Sequence, residues 1–142
     1  MPERVVFDTN IWISGLLWRG KPYRCLLLAR AGIVQPVYCQ AMAAELAQKL
    51  RQVFGFSENH IRAVLYDLRR VTESVEITGN LHVITDDPDD DKFIECALLA
   101  GASLIVSGDH HLLDLGEYEG VCILSAAEFV ARFAWSEGSI GE

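Results

Sequence analysis

The stretch DDPDDDKFIECALLAGASLIVSGDHHLLDL, residues 86–115, decides the fold. It reads as a helix, then a strand, then a polar stop. Asp87-Pro88 is a helix start, with Asp87 as N-cap and Pro88 at the first helical position, and Phe93, Ile94, Ala97 and Leu98 carry the apolar face to Gly101. Residues 104–107 are a short apolar strand halted by Gly108-Asp109. A short helical turn through Leu112 and Leu113 follows.

The same alternation extends in both directions. Towards the N-terminus, residues 4–7 form a β-branched run that stops at Asp8-Thr9-Asn10. Helices are expected over 11–18 and 22–31, broken at Arg19-Gly20-Lys21 and closed by Gly32 as C-cap. A second strand over 33–37 is interrupted late by Pro36, and a helix over 40–54, rich in Ala, Leu, Gln and Glu, carries Glu45. Ser57 N-caps a further helix, with Ile61, Val64, Leu65 and Leu68 at helical spacing, that ends near Val71. Residues 75–77 and 81–84 alternate weakly and make poor strands. Beyond the opening stretch come a strand over 121–124 and a last helix opened by the capping box Ser125 to Glu128. The expectation is one α/β domain over residues 1–135, a three-layer sandwich with about five parallel strands between helices, and a flexible tail over 136–142.

Composition agrees with a single globular unit. The chain has 142 residues, 51% hydrophobic and 23% charged, enough for one core and too few for two. No apolar run approaches the roughly 20 residues that span a bilayer, and the opening MPERVVFDTN lacks the apolar core of a secretory signal, so a cytoplasmic protein is expected. Cys25, Cys39, Cys96 and Cys122 form no CxxC pair and lie in apolar segments, as free buried thiols do. The net charge of −8 argues against a chain that coats nucleic acid with a basic face. Removing Asp86, Asp87, Asp89, Asp90 and Asp91 leaves only −3, so the acidity is one local feature.

Open parallel sheets bind ligands at the carboxyl ends of their strands, where Asp8 and Asp109 both stand. The acidic run follows a possible strand and reaches the same edge. Singly, each acid reads as a turn, cap or solvated residue. Together, charges about 4 Å apart repel by about 4 kcal/mol at an effective dielectric of 20, and a bound cation relieves that repulsion. Carboxylate oxygens without cysteine–histidine conjunctions point to Mg²⁺ or Mn²⁺ and to phosphodiester hydrolysis. His110 and His111 read as loop residues or as substrate contacts. Arg19, Lys21, Arg24, Lys49 and Arg51 are the cations nearest in sequence for a substrate backbone.

The segments VVFDTNIWISGLL (5–17), MAAELAQKL (42–50) and DDPDDDKFIECALLAGASLIVSGDHHLLDL (86–115) resemble the PIN-domain ribonucleases, especially the stand-alone prokaryotic toxins of toxin–antitoxin pairs. The resemblance implies an endoribonuclease on single-stranded RNA, an antitoxin partner and a homodimer. It makes Asp8 the first acid, Glu45 the second and Asp109 the fourth, with Thr9, Asn10 and Ser107 in support. The third is Asp90 or Asp91: an ungapped comparison with shorter toxins favours Asp91, whereas the pattern before Lys-Phe favours Asp90, which is preferred here. Asp8, Asp90 and Asp109 would hold the metal, with Asp91 the alternative, and Glu45 would be a further ligand or a base that orients water. The rival within the family is a PIN-like module that binds RNA or protein without cutting. Other aspartate folds fit less well. Asp8 has no acidic neighbour for a receiver domain, and Asp8-Thr9-Asn10 lacks the Asp-x-Asp of a dehalogenase-type phosphatase. Strand one is not followed by the glycine loop of a dinucleotide site.

Overall fold

The computed structural model describes residues 2–84 and 87–133. Asp86 and the expected tail over 136–142 lie outside them. The elements run β1 (Glu3–Phe7), α1 (Thr9–Leu17), α2 (Lys21–Arg30), β2 (Val34–Tyr38), α3 (Gln40–Gln52), α4 (Glu58–Arg69) and β3 (Glu73–Ser74). A 3-10 turn, Pro88–Asp90, then leads into α5 (Asp91–Ala100), β4 (Leu104–Val106), α6 (His110–Leu115), β5 (Glu117–Tyr118), β6 (Val121–Leu124) and α7 (Ala126–Arg132).

The strands form one sheet in the order β3-β2-β1-β4-β6-β5. All pairs are parallel except β5 with β6. Among the described residues the sheet therefore has six strands, in line with the roughly five expected, and it is mostly parallel. The strands missed by sequence are β3 and β5, and β5 folds back on β6 through Glu119 and Gly120, at φ 47° and 85°. Two positive-φ residues make the tight turn whose twist suits a hairpin, but the usual Asn-Gly or Asp-Gly signal is replaced here by Glu-Gly. Of the weakly alternating segments, 75–77 and 81–84 form no strand, and the short β3 lies just before them.

Side-chain alternation sorts the core into two layers. Val5, Phe7, Leu104 and Val106 face helices α1, α2, α3 and α7, while Val6, Val37, Ile105 and Ile123 face α5. Phe7 is fully buried and makes edge contacts with Trp12 at 5.2 Å and Phe129 at 5.7 Å. These contacts fix α1 and α7 on one side of the central strand. Gly101 closes α5 at φ 68°, as expected from sequence. Helix α2, by contrast, is closed at Ala31, with Gly32 one position beyond. Asp87 sits at the cap position of the 3-10 turn, yet its side chain caps nothing. Cys25, Cys39 and Cys96 are buried free thiols, whereas Cys122 is exposed, because it alternates outward between buried Val121 and Ile123. Among the described residues no helix is long and apolar enough to cross a membrane.

Gly15 sets the spacing of α1 on α2. A Cβ there would meet the Leu26 side chain at 2.6 Å and the backbone oxygen of Pro22 at 2.9 Å. Alanine ordinarily favours a helix over glycine by about 1 kcal/mol. Here the collision with the Pro22 carbonyl outweighs that gain, since overpacking typically costs about 1–3 kcal/mol. Gly15→Ala is expected to lower the urea midpoint with an unchanged slope; a raised midpoint would show that the helices part without cost.

Candidate active site

The site is assembled from the end of β1, the end of β4, the turn before α5, and one face of α3. Asp8 continues the sheet for one residue, its amide donating to the Val106 carbonyl at 3.0 Å, and then caps α1 by accepting the Ile11 amide on Oδ1 at 2.9 Å. Its other oxygen accepts the hydroxyl of fully buried Ser107. Ser107 Oγ in turn accepts the Asp109 amide at 2.9 Å. One serine thus couples the first and fourth acids named from sequence. Asp109 caps α6 through the His111 amide at 2.7 Å. Asp8 and Asp109 are both helix caps and both line one cleft, because capping occupies only part of each carboxylate.

The two candidates for the third acid point to different places. Asp91 Oδ1 accepts the amides of Val83 at 3.0 Å and Ile84 at 2.8 Å, so it ties the preceding segment to α5. Asp90 lines an acidic cleft of about 220 Å³ together with Asp8, Glu45, Asp87, Asp89 and Asp109. Within it, ligand atoms of Asp87, Asp90, Asp109 and His111 all lie within 4.8 Å of one another. Among the described residues neither Asp8 nor Glu45 belongs to that close group, though both line the cleft. His111 Nδ1 stands 3.1 Å from Asp109 Oδ1 and 3.9 Å from Asp87 Oδ2. Asp87 and His111 are the contributors that sequence reasoning undervalued. Asp87 lay within the acidic run and looked like a cap; nothing in the spacing of His111 set it apart from His110.

Glu45 faces the cleft from α3 and is bound by Lys92 Nζ at 3.0 Å. Of the five cations nominated from sequence, Lys49 lines the cleft, donating to Asn10 Oδ1 at 3.3 Å, while Arg51 is engaged by Glu58 at 2.9 Å.

Burial raises the Asp8 carboxyl, against the hydrogen bonds from Ser107 and the Ile11 amide. Burial and the neighbouring charges of Asp109 and Asp87 push Asp90 up to about 7. Asp109 is the opposite case: burial opposes ionisation, but the His111 amide and imidazole hold it below the ordinary range. Glu45 also lies low, burial being offset by the Thr9 hydroxyl and the Lys92 ammonium. The pair Asp90 and Asp109 thus holds a proton near neutrality, on the Asp90 side. Asp90 Oδ2 is buried and has no hydrogen-bond partner among the described residues. A hard divalent cation fits this donor set: three carboxylates and an imidazole converge, and a buried oxygen is unsatisfied.

The chain belongs to the PIN domain family, whose profile matches residues 4–111. That range runs from β1 into α6 and takes in every acid of the cleft. Two solved structures show the same fold. VapBC2 from Rickettsia felis, determined bound to a DNA fragment from its promoter, superposes with a TM-score of 0.59 at 13% identity, covering 86% of this chain and 98% of that one. PAE2754 from Pyrobaculum aerophilum gives 0.56 at 13% identity, covering 94% and 90%. At such identity the likeness concerns architecture alone. No curated protein matches the sequence.

The raised Asp90 carboxyl has a definite sign in stability. Between about pH 4 and about pH 7 the folded metal-free protein keeps a proton that the unfolded chain gives up, so this residue's contribution falls as pH rises through that window and is flat above it. One pKa unit corresponds to about 1.4 kcal/mol, and water in the cleft screens part of the total, leaving an effect of about 2 kcal/mol. Metal-free Asp90→Asn should therefore match wild type near pH 4 and exceed it by several degrees in Tm at pH 7.5. A difference that does not grow with pH would rule out the repulsion.

Proposed function

We propose that this protein is a metal-dependent endoribonuclease that hydrolyses single-stranded RNA with Mg²⁺ or Mn²⁺, acting in the cytoplasm as the toxin of a toxin–antitoxin pair. The observation that carries the reading is the unpaired, buried Asp90 Oδ2 beside Asp109 and Asp87. A group so placed destabilises the protein unless something positive completes it. Family membership points in the same direction.

When bound, a divalent cation supplies polarisation of the phosphate and a more acidic water. Asp90 and Asp109 would hold it, with Asp87 and His111 the other members of the close group. Asp8, braced by Ser107 and the Ile11 amide, lines the same cleft. Glu45 stays ionised at neutral pH and faces the same space, where it orients the attacking water and takes its proton. The water oxygen bonds to phosphorus as the bond to the 3′ oxygen breaks, and the proton passes to that oxygen, leaving a 5′-phosphate and a 3′-hydroxyl. Lys49, at the rim with Asn10, meets a neighbouring phosphate. A concave site of about 220 Å³ suits a flexible strand that bends into it better than a rigid duplex. An acidic cleft also suits an inhibitory partner that inserts a basic side chain, and the protein would work as a homodimer.

Wild type with Mn²⁺ is expected to cut single-stranded RNA, and Asp90→Asn or Asp109→Asn to lose at least about 100-fold in rate with unchanged circular dichroism. Equal cutting by wild type and variants would mean a contaminant. RNA binding without cutting by the Mn²⁺-loaded wild type would favour a non-catalytic module. Expression should arrest growth, and the product of an adjacent gene should relieve it; harmless expression would count against the toxin reading.

A further inference from the structure

We propose that Lys92 stands in for a second cation, so that the cleft takes one divalent ion and Glu45 is kept as a positioned carboxylate rather than a ligand. This rests on the metal-dependent reading above. It goes further by fixing the number of ions and the role of a lysine that the spacing of acids never brought into view.

Lys92 stands in the first turn of α5, bound to two residues of the cleft lining, Glu45 and Asp89, and is held at three points. Its ammonium donates to Glu45 Oε2 at 3.0 Å and to the Asp89 carbonyl at 2.7 Å, and it lies 4.7 Å from the centre of the Phe93 ring. The side chain is only 13% exposed. Such a lysine has given up most of its water for fixed partners, which distinguishes it from a solvated charge at a cleft rim.

The acids of the cleft divide accordingly. Asp87, Asp90 and Asp109 form the close group with His111 and have no ammonium or guanidinium ion-paired to them among the described residues. Glu45, on α3, is outside that group and already neutralised. A two-ion site places its metals about 3.5–4 Å apart and needs carboxylates for both. A second ion on the Glu45 side would have to sit beside the Lys92 charge or expel the ammonium from its three contacts. Expulsion would also release the Asp89 carbonyl, which belongs to the turn that presents Asp90. The ion pair therefore fixes Glu45 in place and closes the second position.

The test is the number of Mn²⁺ ions bound by the full chain without RNA, measured by calorimetry and by the spin-coupled signal of paired Mn²⁺ in electron paramagnetic resonance. Wild type should bind one ion with no coupled signal. Glu45→Gln should also bind one, with Kd changed by less than about threefold. Lys92→Met, which uncovers Glu45, should bind a second ion at millimolar Mn²⁺ and acquire the coupled signal. Two ions in wild type, loss of the ion in Glu45→Gln, or a folded Lys92→Met that still binds one would each overturn the inference while leaving the nuclease reading intact. If Lys92→Met fails to fold, the first two measurements still decide. No ion in wild type would remove the metal-dependent reading and this inference with it.

Discussion

The parallel pairing of β1 with β4 is the constraint on which the site depends. Val5 lies beside Leu104 and Phe7 beside Val106, so the residues after each strand emerge at one edge of the sheet. Asp8 and Asp109, about a hundred positions apart, become neighbours because the register leaves them no other place. Ser107 completes the link through its hydroxyl, donating to Asp8 and accepting from the Asp109 amide. The register is itself held by apolar packing on both faces, with Phe7 against Trp12 and Phe129 on one and Ile105 against the α5 layer on the other. A shift of one residue would exchange the side chains between the two apolar layers, into spaces shaped for others, and carry the acids out of line.

The core supplies the stability that the cleft consumes. Like charges are brought together, one carboxyl is left holding a proton near neutral pH, and a buried oxygen goes unpaired. None of this favours folding by itself. It is tolerated because Asp8 and Asp109 each recover part of the cost as helix caps, at the Ile11 and His111 amides, and because Lys92 neutralises Glu45. The unbalanced remainder is concentrated around Asp90, where a cation has most to offer.

Much of this was legible in the chain. Apolar runs of four or five residues alternating with helical spacing pointed to the layered α/β class, and aspartates just beyond two strands marked the edge where the acidic cleft lies. Ser125 to Glu128 does form a capping box, because that signal depends only on residues three apart. The short hairpin of β5 on β6 was not legible, since Glu-Gly is a weak turn signal and two-residue strands leave no periodicity to read. The segment 81–84 looked like a poor strand for a sound reason: its amides at Val83 and Ile84 are satisfied by Asp91 rather than by a sheet.

The sequence by itself determined the layer architecture, the edge of the sheet that carries the acids, and the hardness of the donor set, because these follow from local patterning and from the chemistry of carboxylates. Only the tertiary structure decided which acids share a cleft. Asp90 and Asp91 are adjacent in the chain, but successive residues entering a helix point about 100° apart, so one faces the cleft and the other the 83–84 backbone. Asp87 and His111 joined the close group, and Lys92 met Glu45 across 47 positions, through the packing of α5 against β1 and α3. Contacts of that range are set by how helices seat on a sheet, and local spacing carries no record of them.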